Sequence, residues 1–399
     1  MAHTPDLLAS FQLTLPQLQE IATTLQERIH LGLRQDGQEV RAIPTYLAPP
    51  PQGICGRVLV IDTGGTNIRA AIIELRADGS HNLVAGPLQA QVPTGRQSEP
   101  VSAQDFFRAQ AELALQLNPE ADLPLGYCFS YPAASTPQAD ARLLHWTKDM
   151  HVQGVEGELV GQMLKEALAQ LGYQAGKATV LNDTVATLLA GAGANSRQYD
   201  HFIGLIAGTG TNMAGFVPVR PDNKLSSLPW KQPSMAVNLE SGNFTPPYLN
   251  RYDDLLDSRL DLPGHQRFEK ALAGYYLPFL YALADPLAQD FDPYQGSKQL
   301  VELRDRQHDD LAAAILTRSG QLIAAGLAGF IKVLGQEGRV CITAEGSRYW
   351  NDPALPPLVA NLLPQLISPQ QTFSIIRIED ANLVGSAYAA LAQASSPEH

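Results

Sequence analysis

Two short segments of this sequence combine glycines, hydroxyls and an amide in the way that phosphate recognition requires. Asp62-Thr63-Gly64-Gly65-Thr66-Asn67 ends the apolar run 57–62 (RVLVID), and Gly208-Thr209-Gly210-Thr211-Asn212 follows the apolar run 202–207 (FIGLIA). Glycine has no Cβ, so backbone N–H groups in such turns can come close to phosphate oxygens. Facing each other across a cleft, the two turns could clasp a polyphosphate, although Gly and Asn are also the common currency of ordinary turns. A third candidate is Asn182-Asp183, between the strand-like ATVL (178–181) and a predicted helix at 184–192. Its carboxylate stands at the C-terminal edge of a strand, where active sites of open α/β sheets gather. The same position suits a helix N-cap, which needs no chemistry.

Other patterns fall away on spacing. The segment from Gly172 to Lys177 has one residue too few for a P-loop, and Ala178 stands where a Ser or Thr would hold the metal. Gly191-Ala192-Gly193 lacks the third glycine of a dinucleotide fingerprint. None of the nine histidines forms an H-x-x-x-H pair. Cys55, Cys128 and Cys341 are far apart and odd in number, so neither a disulfide framework nor a zinc site is expected.

The candidates must be positioned by the elements around them. With 399 residues, 45% hydrophobic and 17% charged, the chain is globular, and division by about 150 gives two or three domains. Leu15, Leu18, Ile21, Leu25, Ile29 and Leu33 keep a helical period and predict one amphipathic helix over 13–33. AIPTYLAPPPQG then enforces an extended connector. Strands are predicted at 57–62, 68–75, 125–130, 178–181, 202–207, 339–343 and 374–378. Helices are predicted at 103–117, 157–171, 184–192, 267–283, 309–334 and 381–392. This alternation means α/β layers. The two strand-turn-Thr elements echo each other and suggest a duplicated pair of domains.

The balance of 28 basic and 40 acidic residues gives a net charge of −12, which disfavours nucleic acid and anionic membrane surfaces as partners. The longest apolar and glycine run, 322–331, is half of the roughly twenty residues a membrane span needs. MAHTPDLLAS lacks the basic start and apolar run of a signal peptide, so a soluble, cytoplasmic protein is expected.

The segments VLVIDTGGTNIRAAIIEL, LGYCFSYPA, LLHWTKDM, LNDTVATLLAG, IGLIAGTGTNMAG, VNLESGNF, DLPGHQRFEKALAGYYL and VGSAYAALA resemble, in order, the signature blocks of the hexokinase family. The resemblance covers about 13–395 as a single hexokinase or glucokinase unit. It implies an α/β fold of two actin-like ATPase (ribonuclease H-like) domains, each around a five-stranded sheet, hinged over a cleft. The smaller domain would hold 56–196 plus 382–399 and the larger 1–55 plus 197–381. The implied activity is ATP-dependent phosphorylation of a hexose at its 6-hydroxyl, feeding glycolysis. Glucose is the first candidate substrate, with mannose and fructose behind it.

By the same resemblance, Asp62, Gly64, Gly65, Thr66 and Asn67 form one phosphate turn, Gly208, Thr209, Gly210 and Thr211 the other, and Gly346, Ser347 and Gly385 complete the nucleotide side. Sugar contacts fall to Ser130, Thr147, Lys148, Asn182, Asp183, Asn212, Glu240 and Glu269. Each sugar hydroxyl is both donor and acceptor, so such a mixed set is what a dehydrated hexose demands. Asp183 is the implied base, with Lys148 and Arg69 countering charge on the transferring group. Mg2+ would be held chiefly by phosphate oxygens and water, with no dedicated protein ligands. A side chain at Gly65 is expected to damage ATP use while sparing the sugar. The quaternary state would be monomer or homodimer.

Departures from the family pattern are Asp149 in place of Gly, Ser241 in place of an aromatic, the altered adenosine-side block 343–347, and a last block without its lysine. They keep open a catalytically weak sugar sensor on the same fold and a polyphosphate-dependent glucokinase.

Overall fold

The computed structural model describes residues 4–95, 100–285, 288 and 291–395. Leu18, Ile21, Leu25, Ile29 and Leu33 line the buried face of α1 (Leu15–Arg34), as their period requires. Pro16 sits in its first turn, and Gln17 Oε1 accepts the Thr14 N–H at 2.8 Å. The Pro-rich connector that follows carries only a two-residue strand, Ile43–Pro44.

The first sheet grows from the hairpin β1 (Gly56–Thr63) and β2 (Asn67–Leu75), paired antiparallel from Gly56↔Leu75 to Thr63↔Ile68. Then come β3 (His81–Gln91), α2 (Ala103–Leu115), β4 (Leu125–Phe129), α3 (Val160–Gln170) and β5 (Ala178–Leu181). The sheet order is β5-β4-β1-β2-β3, with β4 parallel to both β1 and β5. One face buries Leu59, Ile61 and Tyr127 against Phe106 and Phe107 of α2 and Leu164 and Leu168 of α3.

The second sheet repeats this plan. The helix α4 (Asp183–Asn195) leads into β6 (His201–Ala207), β7 (Thr211–Pro218) and β8 (Ser234–Asn238). The helices α5 (Arg251–Ser258), α6 (Arg267–Leu272), α7 (Leu277–Ala284) and α8 (Asp310–Leu334) precede β9 (Gly338–Glu345), β10 (Gln371–Ile376) and α9 (Ala381–Ala394). The order is β8-β7-β6-β9-β10, with β6 antiparallel to β7 and parallel to β9. In both sheets the first two strands form a hairpin, the third adds outside the second, and the fourth and fifth add in parallel beyond the first. Both candidate phosphate turns are therefore the first hairpin turn of their sheet.

Two expectations need correction. The second sheet has six strands, because Ile43–Pro44 pairs with Asn238 and Val237 at its edge. The predicted helix 267–283 is two helices, α6 and α7. The Gly274 N–H donates to Gly208 O at 2.8 Å and the Tyr275 N–H to Thr209 O at 3.3 Å, so amides needed to continue a helix are spent on the second phosphate turn. The residues 396–399 of the expected smaller domain lie outside the described residues. Among those described, one helix, α8, is long and apolar enough to cross a membrane, and most of it is buried within the protein.

The helices α4 and α9 cross between the sheets. α9 covers the remaining face of the first sheet, packing Leu383, Val384, Ala387 and Tyr388 on Val58, Val60, Ala71 and Ile73. α4 lies against the second, where a Cβ on Gly204 would meet Thr184 O at 2.4 Å. At the crossing, a Cβ on Gly385 would lie 1.8 Å from Ala186 O. Gly385, expected on the nucleotide side, is buried here and lets two helix backbones touch. Gly385→Ala should therefore force the helices apart and destabilise the protein by about 1–3 kcal/mol, read as a lowered Tm in thermal denaturation.

Candidate active site

In the first turn the Gly64 N–H donates to Asn67 O at 3.0 Å, closing the loop, and Tyr131 Oη donates to Gly64 O at 2.6 Å. Thr63 is buried and donates to Gln110 Oε1 at 2.7 Å, while Thr66 and Asn67 are exposed. In the second turn the Gly208 N–H donates to Gly210 O at 2.9 Å, and the Thr211 N–H donates to Glu269 Oε2 at 2.8 Å. A Cβ on Gly208 would lie 3.3 Å from Gly346 Cα, which brings the adenosine-side block onto this turn. Gly346 has φ +115°, and a Cβ there would meet Ala207 O at 2.4 Å, so only glycine serves. Ser347 opens the short helix beyond it and is exposed.

The Asn182-Asp183 pair divides the two roles that the sequence left open. Asn182 is the N-cap of α4, its Oδ1 accepting the Thr184 N–H at 2.9 Å. Asp183 is the first helical residue, and its Oδ1 accepts the same N–H at 2.7 Å. An anion at this position is favoured by the helix dipole.

Opposite stand the sugar-side acids. Asn212 Nδ2 donates to Asn238 Oδ1 at 2.7 Å, and Asn238 Nδ2 donates to Glu240 Oε1 at 2.8 Å. Asn238 was not singled out from the sequence; its only signal is its place in the VNLES block beside Glu240. Asn212 Oδ1 accepts the Met213 N–H at 2.8 Å and the Ser241 N–H at 3.1 Å, so the serine that replaces an aromatic is buried against this amide. Glu240 itself has φ 54°, a left-handed backbone that is uncommon outside glycine and marks a constrained site.

Burial holds the Glu240 carboxyl above the usual carboxylate range; the amide of Asn238 and the charge of Arg41 oppose this, and Asp183 adds to it. Burial also raises Glu269, with the Thr211 N–H and Lys148 opposing and Glu240 and Asp183 adding. Asp183 thus lies within electrostatic reach of Glu240 and Glu269, and Lys148 within reach of Glu269.

Lys148 Nζ donates to Ser130 O at 2.7 Å and lies 5.2 Å from the centre of the Tyr131 ring. Lys148 and Asp149 are both left-handed, at φ 60° and 52°. That conformation is the physical reason why glycine suits position 149, and Asp is among the residues that tolerate it. Thr147 O accepts the Met150 N–H at 3.3 Å, closing the same loop. A Cβ on Gly65 would lie 2.7 Å from Lys148 Cδ. A side chain at Gly65 would therefore have to displace the flexible stem of Lys148, so the first glycine turn and the lysine expected on the sugar side are neighbours.

Arg69, which the resemblance sets against charge on the transferring group, is ion-paired. Its guanidinium donates to Asp62 Oδ2 at 2.6 Å and to Asp380 Oδ1 at 2.8 Å. Two carboxylates compensate its charge, and it ties β2 to the residue that precedes α9. Among the described residues no group of three His, Cys, Asp or Glu side chains could hold a metal ion. The donor set fits a magnesium ion carried on phosphate oxygens and water, with Asp62 beside the first turn.

Two family models described as hexokinase match residues 3–193 and residues 202–284 with 295–392. The chain belongs to the hexokinase family. It is 27% identical to hexokinase-2 of Candida albicans over 438 residues, covering 94% of this chain and 89% of that one. It is 27% identical to hexokinase-3 of Mus musculus over 437 residues, which is 96% of this chain but 46% of that protein. The chain thus spans about half the length of the mouse relative. The hexokinase of Schistosoma mansoni, solved with glucose, has the same fold, with a TM-score of 0.77 over 98% of this chain and 97% of that one at 24% identity. Two α/β domains hinged over a cleft, the actin-like ATPase architecture, are therefore the fold of this chain. Kinases of the family take a sugar and ATP as substrates, generally with Mg2+.

The raised carboxyls give a stability prediction. A carboxyl whose folded pKa exceeds its unfolded value contributes stability that is complete below the unfolded pKa and lost as pH rises through the folded one. As pH rises above the ordinary glutamate range, Glu240 and Glu269 therefore become a growing burden on the protein without sugar. Glu240→Gln and Glu269→Gln should each raise the sugar-free Tm at pH 7, and the gain should shrink toward about pH 4, near the ordinary glutamate pKa. Thermal melts across that range check this, and an unchanged or lowered Tm at pH 7 contradicts it.

Proposed function

We propose that the protein transfers the γ-phosphoryl group of ATP to the 6-hydroxyl of a hexose, glucose first, with mannose and fructose slower, feeding glycolysis in the cytoplasm. Asp183 is the general base. The observation that supports this reading is that its carboxylate lies within electrostatic reach of the buried Glu240 and Glu269, with Lys148 within reach of Glu269 and beside the first glycine turn. The glucose bound to the Schistosoma mansoni relative supports the choice of sugar.

The carboxylates of Glu240 and Glu269 accept from sugar hydroxyls, and Asn182 and Asn212, whose Oδ1 atoms already accept backbone N–H groups, offer their Nδ2 hydrogens as donors. With those hydroxyls engaged, a single oxygen is left to lie in line with the γ-phosphorus. Asp183 takes the proton of that hydroxyl as the O–P bond forms and the bond from phosphorus to the β,γ-bridging oxygen breaks, releasing ADP. Phosphoryl transfer is mostly positioning and charge stabilisation. Here the Lys148 ammonium and the backbone N–H groups of both turns counter the charge on the phosphates. Magnesium, when bound, neutralises the phosphate oxygens. Closure of the two domains on the sugar would exclude water and restrain ATP hydrolysis.

Asp183→Asn keeps the shape of the base and removes its basicity. It should fold and bind glucose, with kcat lower by about 10²–10⁴, measured by a coupled assay that also compares ATP, ADP and polyphosphate as donors. Phosphorus NMR of the product should place phosphate on C6. Near-normal turnover of the variant, phosphate on C1, or no sugar phosphate at all would overturn the reading.

A further inference from the structure

Tyr131 is buried at the end of the FSYP segment and touches both halves of the site. Its ring packs 4.9 Å from Phe129 and 4.9 Å from Trp146, which holds it in one orientation. Its hydroxyl donates to Gly64 O at 2.6 Å, inside the first phosphate turn. The face of the same ring lies 5.2 Å from Lys148 Nζ, and that ammonium also donates to Ser130 O at 2.7 Å, one residue before the tyrosine.

A trans peptide is planar, with its C=O and N–H pointing in opposite directions. Fixing the direction of Gly64 O therefore fixes the direction of the Gly65 N–H, which is sent away from Tyr131. In a turn of glycines nothing else about residues 64 and 65 restricts that rotation as strongly, because neither carries a side chain. The turn's own closing bond uses the Gly64 N–H and leaves the orientation of the 64–65 peptide unset.

From this geometry we propose that Tyr131 is a positioning residue for the phosphate donor: its hydroxyl sets the 64–65 peptide so that the Gly65 N–H meets a donor phosphate oxygen. The ring, meanwhile, seats Lys148 beside that peptide. The ligand class is a polyphosphate chain, as in a nucleoside triphosphate. The inference rests on the hexose kinase reading of the cleft, and it is tested by a measurement that needs no turnover.

Tyr131→Phe removes the hydroxyl and keeps the ring, its stacking and its contact with Lys148. Calorimetry of both proteins with a non-hydrolysable ATP analogue plus Mg2+, and separately with glucose, gives two affinities. The analogue should bind about three- to tenfold more weakly to the variant, the equivalent of one neutral hydrogen bond. Glucose affinity should be unchanged within about twofold, because the cation–π seat of Lys148 survives. In steady-state assays KM for ATP should rise while KM for glucose does not. Equal affinity for the analogue in both proteins overturns the proposal, as does an equal loss for both ligands, which would mark a merely structural tyrosine, or a wild type that does not bind the analogue. Absence of sugar phosphate with the binding split intact would instead defeat the assigned reaction and leave the role of Tyr131 standing.

Discussion

Asp183, Glu240 and Glu269 are carboxylates in one sheltered cleft, and two of them are held above their ordinary proton affinity by burial and by their negative neighbours. Like charges in such surroundings need compensation. The protein supplies it mostly with backbone and amide dipoles: the Thr184 N–H on Asp183, the Thr211 N–H on Glu269 and the Asn238 amide on Glu240. Each of those donors belongs to a different element, so the cleft exists only while a helix start, a hairpin turn and a strand end stay in register. The site is bound to the fold through its acids.

That register comes from one plan used twice. In both sheets the turn between the first two strands is held by donors from another part of the chain: the Tyr131 hydroxyl on one side, the amides of Gly274 and Tyr275 on the other. The break between α6 and α7 belongs to the same economy of hydrogen bonds. A sequence pattern favouring one continuous helix loses to a loop whose carbonyl oxygens need donors.

Much of this was legible in the sequence. The glycine turns, Asn182-Asp183, Glu240 and Glu269 sit in compact blocks with distinctive composition, and the strands that carry them read as apolar runs. Gly385 touches Ala186, and Arg69 pairs with Asp380, 311 residues away, so neither role has a local signature. The strands β3, β7 and β8 went unread because their segments mix polar residues and glycine with short apolar stretches, and pairing partners rather than composition make them strands. Asn238 was hidden for a different reason: a strand asparagine is ordinary until the carboxylate it steadies is seen beside it.

The helix α9 covers the first two strands of the first sheet. Val58, Val60, Ala71 and Ile73 find their apolar partners on α9, Ala381–Ala394. On a ribosome adding about 5–20 residues per second, the interval between these two segments is on the order of 15–60 s. For that time the newly made first sheet has one finished face and one bare hydrophobic face. The smaller domain therefore cannot mature as an independent N-terminal unit during synthesis. Its completion waits for α9 to be made and to fold back.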